Sequence, residues 1–214
     1  MSANAPVVYV NEPLKTYLDD AASGKPAPGG GSVSGAVGAL GAALVSMVCN
    51  LTLGKEKFAS VEDEIKVLVA ESEAVRLRLE LLLQDDTVAY NGVIEAYKLP
   101  KETADEIAAR SAAIQAGLII AANVPLEICR VAVQVCRVAR TAAVIGNPHA
   151  VTDAGIGALL GEAAVVGASL NVKINLGSIK DAAYVAATQT ELETILAEAA
   201  ALRAEVLQMT LDKI

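Results

Sequence analysis

Apolar residues recur at three- and four-residue spacing through most of this 214-residue chain, and this spacing is typical of amphipathic helices. One long stretch between Ser60 and Tyr97 would place on a single helix face Ile65, Leu68, Val69, Val75, Leu79, Leu82 and Leu83. No segment alternates apolar and polar residues for long enough to predict a strand. We therefore predict an all-α fold, a bundle of long helices forming one domain over residues 1–214.

Capping residues and helix breakers divide this pattern into six predicted helices. Asn11, Ser32, Ser60 and Thr103 are the predicted N-caps of the first four helices, and Ser178 with Asp181 is predicted to cap the last. The predicted bounds are Asn11–Ala22, Ser32–Leu53, Ser60–Tyr97, Thr103–Asn123 with a kink or restart at Pro125 and a continuation to Ile145, Thr152–Leu176, and a terminal amphipathic helix after Asp181.

The amino-acid composition disfavours some fold classes and some functions. The chain has 41 Ala and 16 Gly but only five Tyr, one Phe and no Trp, which disfavours a β-sandwich and favours helices packed through small side chains. A net charge of −8 with few aromatics argues against nucleic-acid binding, and a single His argues against a His-based zinc site. Three cysteines without framework spacing, and no signal peptide, predict reduced thiols in a cytoplasmic protein.

The uncharged segment Val33–Leu53 is long enough to cross a membrane. It consists mainly of Ala, Gly, Ser and Val, and no aromatic belt flanks it, so we interpret it as a buried core or dimer helix. Gly35, Gly38 and Gly41 would let another backbone approach closely, which favours a homodimer. No membrane association is predicted.

A glycine-rich turn precedes this apolar helix. Gly29, Gly30 and Gly31 leave their backbone N–H groups uncovered, and with Ser32 they lead into a helix N-terminus, a place that holds carboxylates, phosphates or polar ring edges. The turn lacks the Gly-Lys-Ser/Thr of a P-loop, and no strand precedes it as in a dinucleotide fingerprint. A flexible turn with no ligand is the alternative interpretation.

Polar residues inside apolar helices are the other candidates for chemistry. Asp86 and Tyr90 lie one helical turn apart, and a half-buried carboxylate can have a raised pKa that suits general acid/base work. Asn171 and Asn175 also share a helix face and need partners or a ligand if they are buried. A structural hydrogen bond or ion pair is the alternative for Asp86.

Two further groups lie elsewhere along the chain. Asn50, Lys55 and Lys57 cluster at the far end of the glycine helix and give a local positive charge, although a solvated surface is the alternative. Asp153, one turn beyond the turn residue His149, is a second candidate acid/base group.

Taken together, these segments resemble one family. The stretch KPAPGGGSVSGAVGALGAALVSMVCNLTLGK, Lys25–Lys55, resembles the signature of the formiminotetrahydrofolate cyclodeaminase/methenyltetrahydrofolate cyclohydrolase family. Weaker matches follow in family order at Asp85–Lys101, Val124–Arg130, Gly146–Leu160 and Ala168–Leu176. The resemblance implies an all-helical homodimer with a folate site near the glycine turn.

The resemblance also implies one of two reactions on a tetrahydrofolate substrate, with no other cofactor and no metal. Because no formiminotransferase domain accompanies this chain, we favour hydrolysis of 5,10-methenyltetrahydrofolate to 10-formyltetrahydrofolate. Deamination of 5-formiminotetrahydrofolate is the alternative, and a non-catalytic helical folate-binding or interaction module is a further one. Both reactions pass through a tetrahedral carbon and need proton transfer at nitrogen.

Site residues follow from the matched positions of the family signature. Asp86 is the predicted general acid/base, with Asp153 as the alternative, and Lys55 and Lys57 would face the glutamate tail of the folate. The predicted substrate contacts are Gly29, Gly30, Gly31, Ser32, Asn50, Tyr90, Asn171 and Asn175.

Overall fold

A computed structural model describes residues 7–214, and these residues contain six α-helices and no strand. The helices are α1 (Leu14–Ala21), α2 (Gly30–Asn50), α3 (Glu62–Lys98), α4 (Ala104–Ile145), α5 (Val151–Leu176) and α6 (Ala182–Leu211), with short 3-10 turns at Tyr9–Asn11, Glu56–Val61 and Pro148–Ala150. The prediction of an all-α bundle is confirmed.

Helices α2 to α5 form an antiparallel four-helix bundle in which each helix packs against its neighbour in the chain and α5 closes the ring onto α2. Helices α2 and α3 run antiparallel, because Ser32 contacts Asp86 while Ser46, further along α2, contacts Ser72, earlier in α3. The thiols of α4 show the same for α5, because Cys129 donates to the carbonyl of Val165 and Cys136 to that of Ala158. Helix α6 packs along α4 and α5. The first turn and α1 lie over α2 and α3, where Tyr9 donates its N–H to Gln84.

Small residues bring α2 and α5 into close contact. A Cβ atom on Gly41 would lie 3.0 Å from the carbonyl oxygen of Gly157, so neither helix tolerates a side chain at this crossing. A Cβ atom on Gly38 would lie 3.2 Å from the Cβ of Ala164 in α5, and Gly35 faces the backbone of α3 near Leu83. The glycines that we expected at a dimer contact are therefore used inside the chain, and they do not support a homodimer.

Three predicted N-caps are wrong. Asn11 ends a 3-10 turn, and Pro13 is the N-cap of α1 because its fixed φ of −55° suits the entry to a helix. Helix α2 begins at Gly30, and the Ser32 hydroxyl lies beside the Tyr17 hydroxyl at 3.0 Å instead of capping the helix. Ser60 lies in the 3-10 turn that precedes α3, which starts without a side-chain cap.

Other predicted helix ends are confirmed. Thr103 and Glu106 form a reciprocal capping box at the start of α4, and Asp181 caps α6. Gly146 is the C-cap of α4.

Helix α4 continues through Pro125 without a break, although this residue has no N–H to donate to the carbonyl of Ala121.

Ion pairs join α6 to the helices beneath it. The guanidinium of Arg137 binds Glu198 through two hydrogen bonds, of 2.6 and 2.8 Å. Arg130 with Glu191 and Arg203 with Glu162 are pairs of the same kind, and Arg140 binds Glu205 through one hydrogen bond. Because these pairs are partly exposed, they fix the register of α6 more than they add stability.

The three cysteines are buried free thiols. Burial raises the pKa of Cys49 to about 11 and that of Cys129 to about 12, so both remain protonated. The thiols therefore act as small packing groups, as their apolar surroundings in the sequence indicate.

Apolar side chains also remain on the outer face of the bundle. Helix α2 exposes Val33, Leu40 and Met47 at seven-residue spacing, and α5 exposes residues between Ile156 and Ile174. Helix α2, helix α4 and the stretch Pro148–Leu176 are long and apolar enough to span a membrane, and about half of each is buried within the chain. We call the exposed apolar surface of α2 and α5 the α2–α5 face.

Candidate functional site

A cavity of about 380 Å³ opens where the glycine-rich turn meets α3 and α5. Six residues that the sequence predicted as functional line it together, namely Gly29, Gly30, Asp86, Tyr90, Asn171 and Asn175. The remaining lining residues are Pro26, Ala27, Ala89, Val93, Ala121, Ile174 and Ser178. The volume lies within the range of small-molecule sites, and apolar walls with a few polar groups are typical of them.

The carboxyl group of Asp86 projects from α3 onto the first turn of α2. Its Oδ2 accepts the backbone N–H of Ser32 at 2.8 Å. A Cβ atom on Gly31 would lie 2.2 Å from Oδ1, so only glycine leaves room for the carboxyl group. The Ser32 side chain is itself buried and lies 3.0 Å from the hydroxyl of Tyr17.

Burial raises the pKa of Asp86, and the N–H of Ser32 opposes this rise in part because it stabilises the carboxylate. Burial also raises the pKa of Tyr17, so its hydroxyl keeps its proton. Asp86 is therefore a carboxyl group that can exchange protons closer to neutral pH than an exposed aspartate.

The opposite wall of the cavity comes from α5. Asn171 donates from Nδ2 to the carbonyl of Gly167 at 3.2 Å, and Asn175 donates to the carbonyl of Ala121 in α4 at 2.8 Å. The Asn171 amide also faces Gly30, because a Cβ atom there would lie 3.3 Å from its Nδ2. Tyr90 is partly exposed at the mouth of the cavity.

Four predicted site residues lie far from this cavity. Asn50, Lys55 and Lys57 are at or beyond the other end of α2, whose 21 residues span about 30 Å. Asp153 lies in the first turn of α5, about 27 Å along the helix from Asn171. Within one chain these four residues therefore lie at the end of the bundle opposite to Asp86 and do not line the cavity.

Some features of the site had no signal in the sequence. Tyr17 is 15 residues from Ser32 in a different helix, and nothing in the spacing predicts their contact. Ser178 reaches the cavity only because α5 ends there. Among residues 7–214, no group of His, Cys, Asp and Glu side chains is placed to hold a metal ion.

Comparison with known proteins gives matches over nearly the whole chain. Residues 13–194 match the family model described as formiminotransferase-cyclodeaminase. The methenyltetrahydrofolate cyclohydrolase of Methylorubrum extorquens is 43% identical over 204 residues, which are 95% of this chain and 98% of that protein.

Two other relatives carry a different name. The formimidoyltransferase-cyclodeaminase of Sus scrofa is 34% identical over 190 residues, 89% of this chain but 35% of that longer protein. The crystal structure of formiminotetrahydrofolate cyclodeaminase from Thermotoga maritima superposes with a TM-score of 0.86 at 32% identity, covering 95% of this chain and 98% of that one.

Proposed function

Because this chain belongs to the formiminotransferase-cyclodeaminase family, we propose that it is a methenyltetrahydrofolate cyclohydrolase. The observation that carries the proposal is the carboxyl group of Asp86, which is held by the N–H of Ser32 inside the cavity at the glycine-rich turn. The similarity to the Methylorubrum extorquens enzyme, which extends over both chains, favours hydrolysis over deamination.

In the proposed reaction, water adds to the cationic carbon that bridges N5 and N10 of the substrate. The Asp86 carboxylate takes a proton from this water as the new C–O bond forms, which leaves a neutral tetrahedral carbon. The bond from this carbon to N5 then breaks, and Asp86 returns its proton to N5. The remaining hydroxyl proton leaves to solvent as the formyl C=O forms, so one proton is released for each turnover.

Binding of the pterin ring is assigned to the walls of the same cavity. We propose that the ring lies between the glycine turn and the apolar side chains of Ala89 and Val93, with Tyr90 at the mouth. Exposed backbone N–H groups of the first turn of α2 are suited to the ring carbonyl oxygen. The proposal requires no cofactor beyond the tetrahydrofolate substrate.

Deamination of formiminotetrahydrofolate is the second candidate, and the relatives from Sus scrofa and Thermotoga maritima favour it. In that reaction N10 attacks the formimino carbon, and the N10 proton passes to the imino nitrogen. A protonated Asp86 supplies the second proton, the bond from the carbon to this nitrogen breaks, and ammonia leaves the cationic methenyl carbon. The same cavity and the same acid/base group serve both reactions, because both pass through a carbon bonded to N5 and N10.

Measurement of two products decides between these functions. Loss of methenyltetrahydrofolate absorbance on addition of the protein supports the cyclohydrolase. Ammonia released from formiminotetrahydrofolate supports the cyclodeaminase and would replace our first proposal. Folate binding without either reaction would identify a non-catalytic folate-binding module.

We also propose that the protein is a cytoplasmic homodimer in which a second copy covers the α2–α5 face. Leu40 on α2 and Leu170 on α5 are 60% and 62% exposed in the single chain, which is unusual for leucines in a row of apolar residues. A second copy offers the same apolar surface and would bury both rows. No membrane and no nucleic acid are part of this proposal.

A further inference from the structure

Asn171 and Asn175 follow each other by one turn on α5 and both line the cavity. A side-chain amide carries N–H donors on one side and a carbonyl oxygen on the other, so its orientation decides what it offers to a ligand. In both residues Nδ2 donates to a backbone carbonyl. Neither Oδ1 has a hydrogen-bond donor among residues 7–214.

Pro125 fixes the orientation of Asn175. In a regular helix the carbonyl of Ala121 accepts the N–H of the residue four positions later, but that residue is Pro125, which has none. Nδ2 of Asn175 supplies the missing donor at 2.8 Å. A rotated amide would place Oδ1 against this carbonyl oxygen, so Oδ1 stays on the other side, toward the cavity.

The α5 wall of the cavity therefore offers acceptors at two points one helical turn apart. A ligand that satisfies them must present N–H donors at a similar spacing. A reduced pterin carries such donors along one edge, at the 2-amino group and N8. Its reacting atoms, N5 and the carbon bound to it, lie on the opposite edge of the ring.

We propose that Oδ1 of Asn171 and Oδ1 of Asn175 form an acceptor pair that binds the N–H edge of the reduced pterin ring. This inference rests on the proposed function and assigns a specificity role to the two side chains. With this edge on α5, the ring turns its N5 side toward Asp86, which faces α2 from the other wall. Unreduced or substituted rings are then distinguished by the donors that they lack.

The test compares two stable ligands, 5,8-dideazafolate and its analogue with a methyl group in place of the 2-amino group. The parent protein is expected to bind the methyl analogue about 10- to 100-fold more weakly, because the ligand covers an acceptor to which it offers no donor. Dissociation constants are measured by isothermal titration calorimetry, beside the turnover of methenyltetrahydrofolate.

The variant that removes the acceptor pair needs a matched background. Pro125→Ala restores the N–H that the Ala121 carbonyl lacks, so Asn171→Leu and Asn175→Leu in this background leave no unpaired group in α4. The comparison is between Pro125→Ala and the triple variant. We expect the triple variant to bind the two ligands within about threefold of each other, because neither leucine carries an acceptor.

Each outcome has a separate meaning. Equal binding of the two ligands by the parent, or unchanged discrimination in the triple variant, overturns the acceptor pair while turnover leaves the proposed function intact. Absence of both turnover and ligand binding in the parent overturns the proposed function and this inference with it. If the triple variant does not fold, Asn171→Leu alone, which leaves the Asn175 bond to α4 in place, must reduce the discrimination.

Discussion

The carboxyl group of Asp86 accepts the backbone N–H of Ser32 at 2.8 Å, which ties the middle of α3 to the first turn of α2. The two residues are 54 positions apart, and their contact closes one wall of the cavity. A carboxylate near the N-terminus of a helix is stabilised by the helix dipole, while burial acts in the opposite direction. The site thus holds an acid/base group whose position is fixed by backbone.

Replacement of Gly31 by alanine tests this positioning. The added Cβ would lie 2.2 Å from Oδ1 of Asp86, so the carboxyl group has to move away from its place on α2. A displacement of about 1 Å at a reacting group costs about 100-fold in rate, and we expect kcat/KM to fall by at least that factor. The measurement is steady-state hydrolysis of methenyltetrahydrofolate, with circular dichroism to confirm the helical fold.

Gly29→Ala is the matched control for that variant. A Cβ on Gly29 meets nothing within 4 Å, and its extended backbone, with φ −110° and ψ −165°, accepts any residue. We expect its fold and stability to match those of the parent protein. A Gly31→Ala enzyme with parental kcat/KM would show that Asp86 is not held as described.

Asp86→Asn is expected to lower kcat by about 10²- to 10⁴-fold, because the amide accepts the N–H of Ser32 but transfers no proton. The free energy of unfolding of this variant should rise at neutral pH, although its kcat falls. Burial raises the pKa of Asp86 in the folded state, so folding loses stability as pH rises through the ordinary and then the raised value. Urea unfolding should therefore find the Asp86→Asn variant more stable than the parent protein at neutral pH and the two equal at acid pH.

Asp153→Asn is the control for the loss of a carboxylate. Asp153 lies at the other end of α5, and we expect kcat for the methenyl substrate to stay within about twofold of the parent value. If Asp153→Asn abolishes turnover and Asp86→Asn does not, the acid/base assignment is reversed.

The contact between Tyr17 and Ser32 joins α1 to the first turn of α2. Tyr17→Phe and Ser32→Ala each remove one hydroxyl of a buried pair at 3.0 Å and leave the other without a partner, so each should lower the free energy of unfolding by about 1–3 kcal/mol. The double variant should cost less than the sum, because the second deletion leaves no unpaired partner. Urea denaturation of the four proteins measures the coupling, and additive effects would show that the two hydroxyls do not interact.

The fold was largely predictable because the apolar periodicity is strong over long segments. The ends of the helices were less predictable. Ser32 has the side chain of a cap, yet the extended Gly29, three residues earlier, is the N-cap of α2 and leaves Ser32 for a tertiary contact. Pro125 was expected to interrupt α4, but Asn175 from another helix satisfies the carbonyl that it leaves open. Such partners lie far away in the sequence.

Part of the candidate site was also predictable from the apolar pattern of the helices. Asp86, Tyr90, Asn171 and Asn175 are polar residues in apolar helices, a pattern that requires a partner or a cavity. The sequence could not show which polar groups share an end of the bundle. The order of the antiparallel helices decides this. It places Lys55 and the start of α5 at one end of the bundle and the glycine turn at the other end.

The last prediction concerns the α2–α5 face. Leu40→Glu and Leu170→Glu place a charge at the centre of an apolar surface that we assign to a second copy, and desolvation of an unpaired carboxylate there is costly. Both variants should elute as monomers where the parent elutes as a dimer, in size-exclusion chromatography with light scattering. Each residue is exposed in the single chain, so the helical fold should be kept.

A glutamate elsewhere on the surface provides the comparison. Val67 on α3 is 59% exposed and lies outside the α2–α5 face, so Val67→Glu should leave the parental mass unchanged. A parent protein that is monomeric at all concentrations would contradict the homodimer. Dimers that persist in both leucine variants would place the interface on another surface, and detergent-dependent solubility of the parent would favour a lipid contact instead. The proposed arrangement therefore depends on the mass of four proteins measured under one condition.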